Sequence, residues 1–523
     1  MKKIDLNLII PDLIKAKLEN VGDLAIVKRK LAKKYGVSIL SNVNLLKAYH
    51  IYCHKKRKKP NPFIEQTLRK RLIRSLSGIA VVSVLTKPYP CPGKCLYCPT
   101  EKGMPKSYLS NEPAAMRAVL NNFDPERQIK NRLESLALQG HPTDKIELIV
   151  IGGTWSYFPT SYKNWFIKRC FEAANGKKSK DLATAQRINE GAKHRIIGIT
   201  IETRPDYING KEIQHLRELG VTRAEMGVQS IFEDVLKYNL RGHKVEDIVN
   251  ATKLLKDAGF KICYHIMPNL PGSNVRKDEE VFKTIFSNSA FQPDLLKIYP
   301  CAILKNAPLY KLWQQGRYKP YTKKQLTDLL LRIKKQIPYY CRIQRLTRDI
   351  PSPSIVTGPT KISNMRQILE KLSKEQSWRC KCIRCREVKE NYDAKENLYL
   401  YKQEYEASGG KEIFLSYENK DRTRLYSLLR LRAPSVDTSI PALKSSTIVR
   451  ELHTYGQLHP FKSTAVSPQH KGLGKKLIKE AEKITASEFH LKKIGIISGV
   501  GVRGYYRGLG YKLENTYMTK KLR

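Results

Sequence analysis

Acidic residues are what this chain is short of. Its 523 residues carry 48 Asp and Glu against 96 Lys and Arg, a formal net charge of +48. A merely solvated surface does not account for such an excess, because self-repulsion works against the compact state, whereas a polyanionic partner does. Nucleic acid is the expected partner and not an acidic membrane, since no lipidation signal or amphipathic anchor stands out. Long apolar runs are also missing. They stop at about eight residues where a bilayer span needs roughly 20, and the Ile-rich start is broken by Asp5, Pro11 and Asp12, which excludes a signal-peptide core. The chain is therefore expected to be soluble and cytoplasmic. No tandem repeat or low-complexity tract suggests a solenoid. The cysteines are not arranged for disulfides: there are eleven, an odd number, in two tight groups with Cys53, Cys170, Cys263, Cys301 and Cys341 scattered between. That usage fits metal binding in a reducing compartment. The length and the 41% hydrophobic content allow two or three domains with real cores.

The first cysteine group organises the rest. Cys91, Cys95 and Cys98, at spacing C-x3-C-x2-C, directly follow the apolar run Ile79–Leu85, which has the length and β-branched content of a buried parallel strand. Three thiolates on one loop leave one iron of a 4Fe–4S cluster without a protein ligand, and this spacing is the signature of radical S-adenosylmethionine (SAM) enzymes. A zinc loop is the alternative, but zinc favours paired C-x2-C units and four protein ligands, and no partner pair is nearby.

Residues 1–78 read as a helical segment, with apolar residues at helical spacing. Between Lys55 and Arg74 there are nine Lys or Arg against the single Glu65. Lys55, Lys56, Arg57, Lys58, Lys59, Arg69, Lys70 and Arg71 are the candidate nucleic-acid phosphate contacts, although a charge run is also what a solvated face looks like. Over 79–345 strands and helices alternate. Strands are predicted at 79–85, 146–151, 196–201, 223–228, 261–267 and 295–299, and amphipathic helical stretches at 114–138 and 245–258. Repeated βα units imply a parallel sheet, closed or partly closed as a barrel, with its chemistry at the strands' C-terminal ends. Those ends carry Gly152, Gly153 and Thr154, then Glu202 and Arg204 on one side of a strand end, then Gln229. Glu202 suits hydroxyls or an ammonium, and Arg204 suits a carboxylate held bidentately. A turn and an intra-barrel salt bridge are the plainer accounts of the same residues.

Over 346–395 the alternation stops, and Cys380, Cys382 and Cys385 form a second group, C-x-C-x2-C, flanked by cations. A structural zinc site is expected, its fourth ligand open between Cys341, Cys53 and a histidine; three unligated cysteines would look the same. Residues 396–523 read as a further α/β unit with strands at 412–416, 426–431, 446–455 and 493–498. Its centre is Gln469-His470-Lys471-Gly472-Leu473-Gly474-Lys475, running into a helix. Free backbone amides at a helix N-terminus suit a pyrophosphate. The order strand, Gly-rich loop, helix, strand, then Gly504–Tyr511 resembles the GNAT acetyltransferase fold, whose loop binds the diphosphate of coenzyme A.

A radical SAM barrel joined to a GNAT unit is a rare pairing. With Gly140–Lys145, Gly152–Thr154, Glu202–Tyr207, Gly227–Ser230, Asp349–Pro351, Arg450–His453 and Ser498–Gly501, it resembles the family of the catalytic third subunit of Elongator, which modifies tRNA wobble uridine. The resemblance runs from about residue 79 to the end. It implies a 4Fe–4S cluster on Cys91, Cys95 and Cys98, reductive cleavage of SAM, hydrogen abstraction from the methyl of acetyl-CoA, and addition to C5 of the wobble uridine. Thioester hydrolysis then leaves 5-carboxymethyluridine. It implies SAM contacts at Gly152, Gly153, Thr154, Glu202, Arg204 and Gln229. Acetyl-CoA contacts carry over onto Lys145, Glu451, Leu452, His453, Thr454, Gln469, Gly472, Leu473, Gly474, Lys475 and Tyr506, with Tyr505, Tyr506 and Lys145 as catalytic candidates. The partners implied are tRNA, acetyl-CoA and an electron donor for the cluster, and a homodimer is compatible with the sequence. The close spacing of Cys91 and Cys95 and the complete C-x-C-x2-C motif depart from eukaryotic members and point to a stand-alone prokaryotic type. The alternative is a protein lysine acetyltransferase with a structural cluster, a chemistry that has no need of a net +48.

Overall fold

The computed structural model describes residues 8–16, 23–37, 40–68, 78–389, 393, 395–434, 438, 440–456 and 472–522. Apolar runs form the first sheet, from β1 (Ala80–Leu85), β2 (Lys145–Ile151), β3 (Arg195–Thr203), β4 (Arg223–Gln229), β5 (Lys261–Ile266) and β6 (Leu295–Ile298). A seventh strand, β7 (Arg342–Arg345), completes it. Its sequence, Arg-Ile-Gln-Arg, holds a single apolar residue, too little to show a strand pattern. Neighbours pair in parallel in the order β1 to β7, so the sheet is an open, partial barrel with β1 and β7 at its edges. Along β2 the period of two is clear: Ile146, Leu148 and Val150 are buried, while Glu147, Ile149 and Ile151 line the lumen.

The helix expected over 114–138 is two helices, Pro113–Leu120 and Pro125–Leu138. Asp124 accepts from the Arg127 amide at 2.8 Å and Pro125 occupies the first turn, so a second helix starts there. The N-terminal part is helical, over Ile10–Lys15, Asp23–Tyr35, Asn42–Lys55 and Pro62–Leu68, around a small core of Leu24, Leu31, Leu45, Leu46 and Leu68. Among the described residues, no helix is long and apolar enough to cross a membrane.

The second sheet holds β8 (Tyr399–Ala407), β9 (Gly410–Glu418), β10 (Leu425–Ala433), β11 (Thr447–Thr454), β12 (Lys493–Ile496), β13 (Lys512–Glu514) and β14 (Tyr517–Lys521), in the order β13-β14-β12-β11-β10-β9-β8. Only β11 and β12 run parallel, and their register holds just from Thr447 to Val449 before the strands part. Helix Leu473–Ser487 packs Leu477, Ile478, Ala481 and Ile484 onto Leu415, Leu429, Val449 and Ile494.

This sheet meets the barrel at the strands' N-terminal ends. A bulge in β11 aligns Arg430 with Glu451 and Leu431 with Val449, leaving Arg450 as an extra residue. Bulges redirect side chains, and Arg450 is aimed at Asp294, which immediately precedes β6, and at the carbonyl of Phe260 before β5.

Candidate active site

A cavity of about 730 Å³ occupies the barrel lumen and is lined from both sheets. At the strands' C-terminal ends its wall includes Tyr108, Gly152, Glu202 and Gln229; at the opposite end it includes Lys261, Arg342 and the β11 residues Glu451, Leu452 and His453. The bulge explains this wall, because pinning Arg450 into the seam holds the next three residues of β11 against the open end of the barrel.

Cys91, Cys95 and Cys98 stand on the loop leaving β1. Among the described residues, only two groups of ligand atoms lie within 4.8 Å of one another: Cys380 with Cys382 and Cys385, and Glu225 with Cys263 and His265. The loop sulfurs are therefore set wider than a single ion needs, which suits a cluster whose sulfurs bind different irons. Their surroundings fit as well. Arg241 donates from Nη1 to Cys95 Sγ at 3.6 Å, and Thr154 Oγ1 lies 3.6 Å from Cys91 Sγ. A side chain at Gly93 would meet Arg204 Nη1 at 2.7 Å and Cys95 Sγ at 3.4 Å. Buried polar atoms without a partner gather here: Arg204 Nη1, Gln229 Oε1, Tyr97 Oη and both ring nitrogens of His243. Native interiors leave few such groups unpaired, and a bound ligand is one way they are satisfied.

The glycines beside the loop have different reasons. Gly152 has φ +151°, and a side chain there would lie 2.0 Å from Thr86 Oγ1, whereas Gly153 faces open space. Gln229, at the end of β4, holds φ +69°, a strained conformation of the kind that clusters at functional sites. Glu202 accepts from Tyr108 Oη at 2.7 Å and from Lys297 Nζ at 3.3 Å, and it lines the lumen as expected. Arg204 differs from expectation. Its fork is taken by Asp206, Nε to Oδ1 at 2.9 Å and Nη2 to Oδ2 at 2.8 Å, so a ligand carboxylate has only Nη1 to meet.

Deeper in the lumen, Lys297 pairs with Glu225, and His265 Nε2 lies 3.0 Å from Glu225 Oε2. Burial alone would raise the Glu225 carboxyl, but Lys297, His265 and Arg223 outweigh it and hold the pKa far below the usual range. Burial would likewise lower the Lys297 ammonium, and Glu225 with Tyr299 and Glu202 keeps it raised. Lys297 and Tyr108 were not singled out from sequence. A lysine inside Leu-Leu-Lys-Ile was the available signal for the first; Tyr108, in a loop, gave none.

On the second sheet, the pairing of β11 with β12 ends at Val449, and residues further along β11 meet the start of helix Leu473–Ser487. A side chain at Gly474 would meet Tyr505 Oη at 3.0 Å, Leu452 Cδ2 at 3.7 Å and Thr454 Oγ1 at 4.0 Å, so these four residues converge. Gly472 caps the helix at φ +71°, Leu473 is buried and Lys475 is exposed. Gln469 lies outside the described residues. The adjacent tyrosines separate: Tyr505 is 40% exposed, while Tyr506 is buried in the core with Leu477 and Tyr511. Burial raises the pKa of both. Glu451 is held by Lys261 at 3.3 Å and Arg430 at 2.8 Å, and the His453 ring lies 4.3 Å from that of Tyr455. Lys145 opens β2 at the barrel's end opposite the cysteine loop, with its pKa lowered by burial, and it does not appear in the cavity wall.

Cys380 and Cys382 are buried, and Lys334 Nζ lies 3.7 Å from Cys385 Sγ. Cys53 belongs to the N-terminal core, and Cys341, although close enough to interact with Cys382, stays outside the group of three sulfurs within 4.8 Å of one another. Lys55, Lys56, Arg57, Lys58 and Lys59 are all exposed; Arg69, Lys70 and Arg71 lie outside the described residues.

Residues 89–285 match the radical SAM superfamily, and residues 293–375 match its C-terminal domain. The chain is 45% identical over 503 residues to a tRNA uridine(34) acetyltransferase of Methanocaldococcus infernus, covering 94% of this chain and 93% of that one. It is 40% identical over 522 residues to human Elongator complex protein 3, covering 96% and 93%. The solved structure of the archaeal Methanocaldococcus infernus Elp3 with an N-terminus deletion (1–46) superposes with a TM-score of 0.76 at 42% identity, over 86% of this chain and 100% of that one. The shared cavity, the cysteine loop and these likenesses converge: the chain belongs to the radical SAM family of tRNA uridine(34) acetyltransferases and Elongator complex protein 3.

Proposed function

We propose that this protein is a tRNA uridine(34) acetyltransferase that uses SAM radical chemistry and acetyl-CoA to form 5-carboxymethyluridine at the wobble position. The observation that carries this reading is the single cavity walled by the barrel strand ends and by Glu451, Leu452 and His453. Two substrates bound by different domains can meet there without release.

Cys91, Cys95 and Cys98 would hold a 4Fe–4S cluster, which when bound supplies the electron that cleaves SAM. Glu202, Gln229 and Arg204 Nη1 offer an acceptor pair and a cationic donor for the hydroxyls and carboxylate of SAM, and Gly152 and Gly153 let it approach the backbone. The cleft of Leu452, Thr454, Gly474 and Tyr505 would take the pantetheine, with the helix starting at Leu473 turning its positive end to the diphosphate. Tyr505, with its hydroxyl at the cleft, is the better placed of the two tyrosines to meet the thioester. Cys380, Cys382 and Cys385 would hold a structural zinc, and the exposed run Lys55–Lys59 would contact tRNA phosphates.

Transfer to a protein lysine is the weaker reading, because Leu452, beside Gly474, also lines the barrel lumen. Mass spectrometry of tRNA nucleosides after anaerobic reaction with SAM and labelled acetyl-CoA tests the reading. Label in 5-carboxymethyluridine is expected; acetylated peptide formed without SAM would overturn it.

A further inference from the structure

We propose, building on the assignment of Cys91, Cys95 and Cys98 to a 4Fe–4S cluster, that Arg241 sets how readily that cluster accepts an electron, through a buried hydrogen bond to the Cys95 sulfur. Arg241 is 146 positions away in sequence and is brought in by the turn that follows helix Glu233–Tyr238. Its guanidinium is fixed at two points: Nη1 donates to Cys95 Sγ at 3.6 Å, and Nη2 donates to the Gly227 carbonyl at 2.6 Å. The backbone makes room for it. A side chain at Gly227 would lie 2.5 Å from Nη2, and Gly242, at φ +80°, turns the chain immediately after it.

What calls for explanation is the charge. Arg241 is 7% exposed, and its hydrogen-bond partners are a sulfur and a carbonyl; the Asp206 carboxylate acts on it only through space, both of its oxygens being taken by Arg204. A buried cation with no carboxylate hydrogen-bonded to it is costly. The Cys95 sulfur is the ligand atom it touches, and a reduced cluster carries one more negative charge than an oxidised one. A positive donor at a ligand sulfur therefore favours the reduced state and raises the potential. Cys91 meets a neutral hydroxyl and Cys98 its neighbour's carbonyl, so the charged hydrogen bond falls on one sulfur of the three, while Arg348 and Lys106 act on Cys98 through space only. The step is a one-electron reduction by a low-potential donor, and no bond in the protein changes.

The full-length wild type, Arg241→Lys and Arg241→Gln are to be reconstituted anaerobically with iron and sulfide. Iron is counted, and the midpoint potential is titrated with dithionite by electron paramagnetic resonance, with no tRNA or acetyl-CoA present. The Gln variant should drop by at least the 59 mV that a tenfold change in a one-electron equilibrium represents, and the Lys variant, which keeps the charge, should drop less. A fully loaded Gln variant at the wild-type potential overturns the proposal. If only the Lys variant loads, a lowered midpoint supports it and an unchanged one overturns it. Two variants without iron also overturn it, because Arg241 would then serve assembly. A wild type lacking a 4Fe–4S signal is a distinct result, which overturns the cluster assignment itself.

Discussion

Arg450 on the second sheet and Asp294 on the barrel form a two-point ion pair, Nη2 to Oδ1 at 2.5 Å and Nη1 to Oδ2 at 2.9 Å, with neither side chain reaching solvent. Arg450 also meets Glu412 at 3.0 Å, Arg430 lies 3.6 Å from Asp294, and Lys256 lies 3.5 Å from Glu412. The pair fixes the angle at which β11 crosses the barrel floor, and so fixes where Glu451, Leu452 and His453 enter the lumen. A hydrophobic seam of equal area could hold the sheets together as firmly, yet would tolerate sliding; a two-point pair of buried charges does not.

Arg450→Ala should therefore be costly, because it takes the two-point partner from buried Asp294 and one of the cations from buried Glu412. Removing one partner of a buried pair costs about 3–5 kcal/mol, against net stabilities of about 5–15 kcal/mol. A urea titration followed by circular dichroism should show the midpoint fall accordingly. A variant as stable as wild type would mean that the seam is held elsewhere.

The same network predicts acid sensitivity. Burial would raise the carboxyls of Asp294 and Glu412, but Arg450 and Lys256 outweigh it, with Arg430 at Asp294 and Arg432 at Glu412, and hold both below their ordinary values. Groups depressed in the fold add stability above the unfolded values of about 3.9 and 4.3, and that stability is lost as pH falls below them. Urea midpoints should thus drop steeply below about pH 4 in the wild type. The drop should be shallower in Asp294→Asn, which starts from a lower midpoint; parallel curves would remove Asp294 from the acid response.

Much of this architecture was legible in the sequence. Six barrel strands announced themselves through apolar, β-branched runs, and C-x3-C-x2-C carried its chemistry in its spacing. The seam did not show. Arg430 and Arg432 alternate with leucines in β10 and read as an ordinary solvated face, because nothing local marks that face as covered by another domain. The bidentate hold expected of Arg204 differs for a related reason: Asp206, two residues on, takes Nε and Nη2, and the choice between a ligand and a neighbouring carboxylate is made by tertiary geometry. The Tyr505-Tyr506 pair was visible, but which hydroxyl meets the cleft is decided by the pitch of a five-residue helix.

That difference between the tyrosines is measurable. Tyr505→Phe removes a hydroxyl beside Gly474 and should lower carboxymethyluridine formation about tenfold or more, as loss of a positioned donor does, with the melting temperature unchanged. Tyr506→Ala should instead cost about 3–5 kcal/mol through a core cavity. Equal stability losses in the two variants would show that both rings are structural.

The three-sulfur group of Cys380, Cys382 and Cys385 should bind one zinc per chain by mass spectrometry of the native protein. Cys382→Ser, at the buried position, should abolish it and lower the melting temperature, while leaving iron on the other cysteine loop. Coincident loss of both metals would mean that the two sites fold as one unit.

The basic N-terminal run gives the sharpest test of what the net charge is for. Lys55, Lys56, Arg57, Lys58 and Lys59 are exposed, and none of them forms an ion pair among the described residues, so their charge is available to a polyanion. If they touch phosphate, each contact releases counterions and adds close to one unit to the slope of log affinity against log salt. Replacing Lys55, Lys56 and Lys58 by Glu should weaken tRNA binding in fluorescence anisotropy and flatten that slope by up to about three. The weakening should be similar across tRNAs of different anticodon, since phosphate contacts carry no sequence. A loss confined to one tRNA would instead place this segment on bases, and an unchanged slope would return it to being a solvated face, leaving the excess of cations to act from the barrel side.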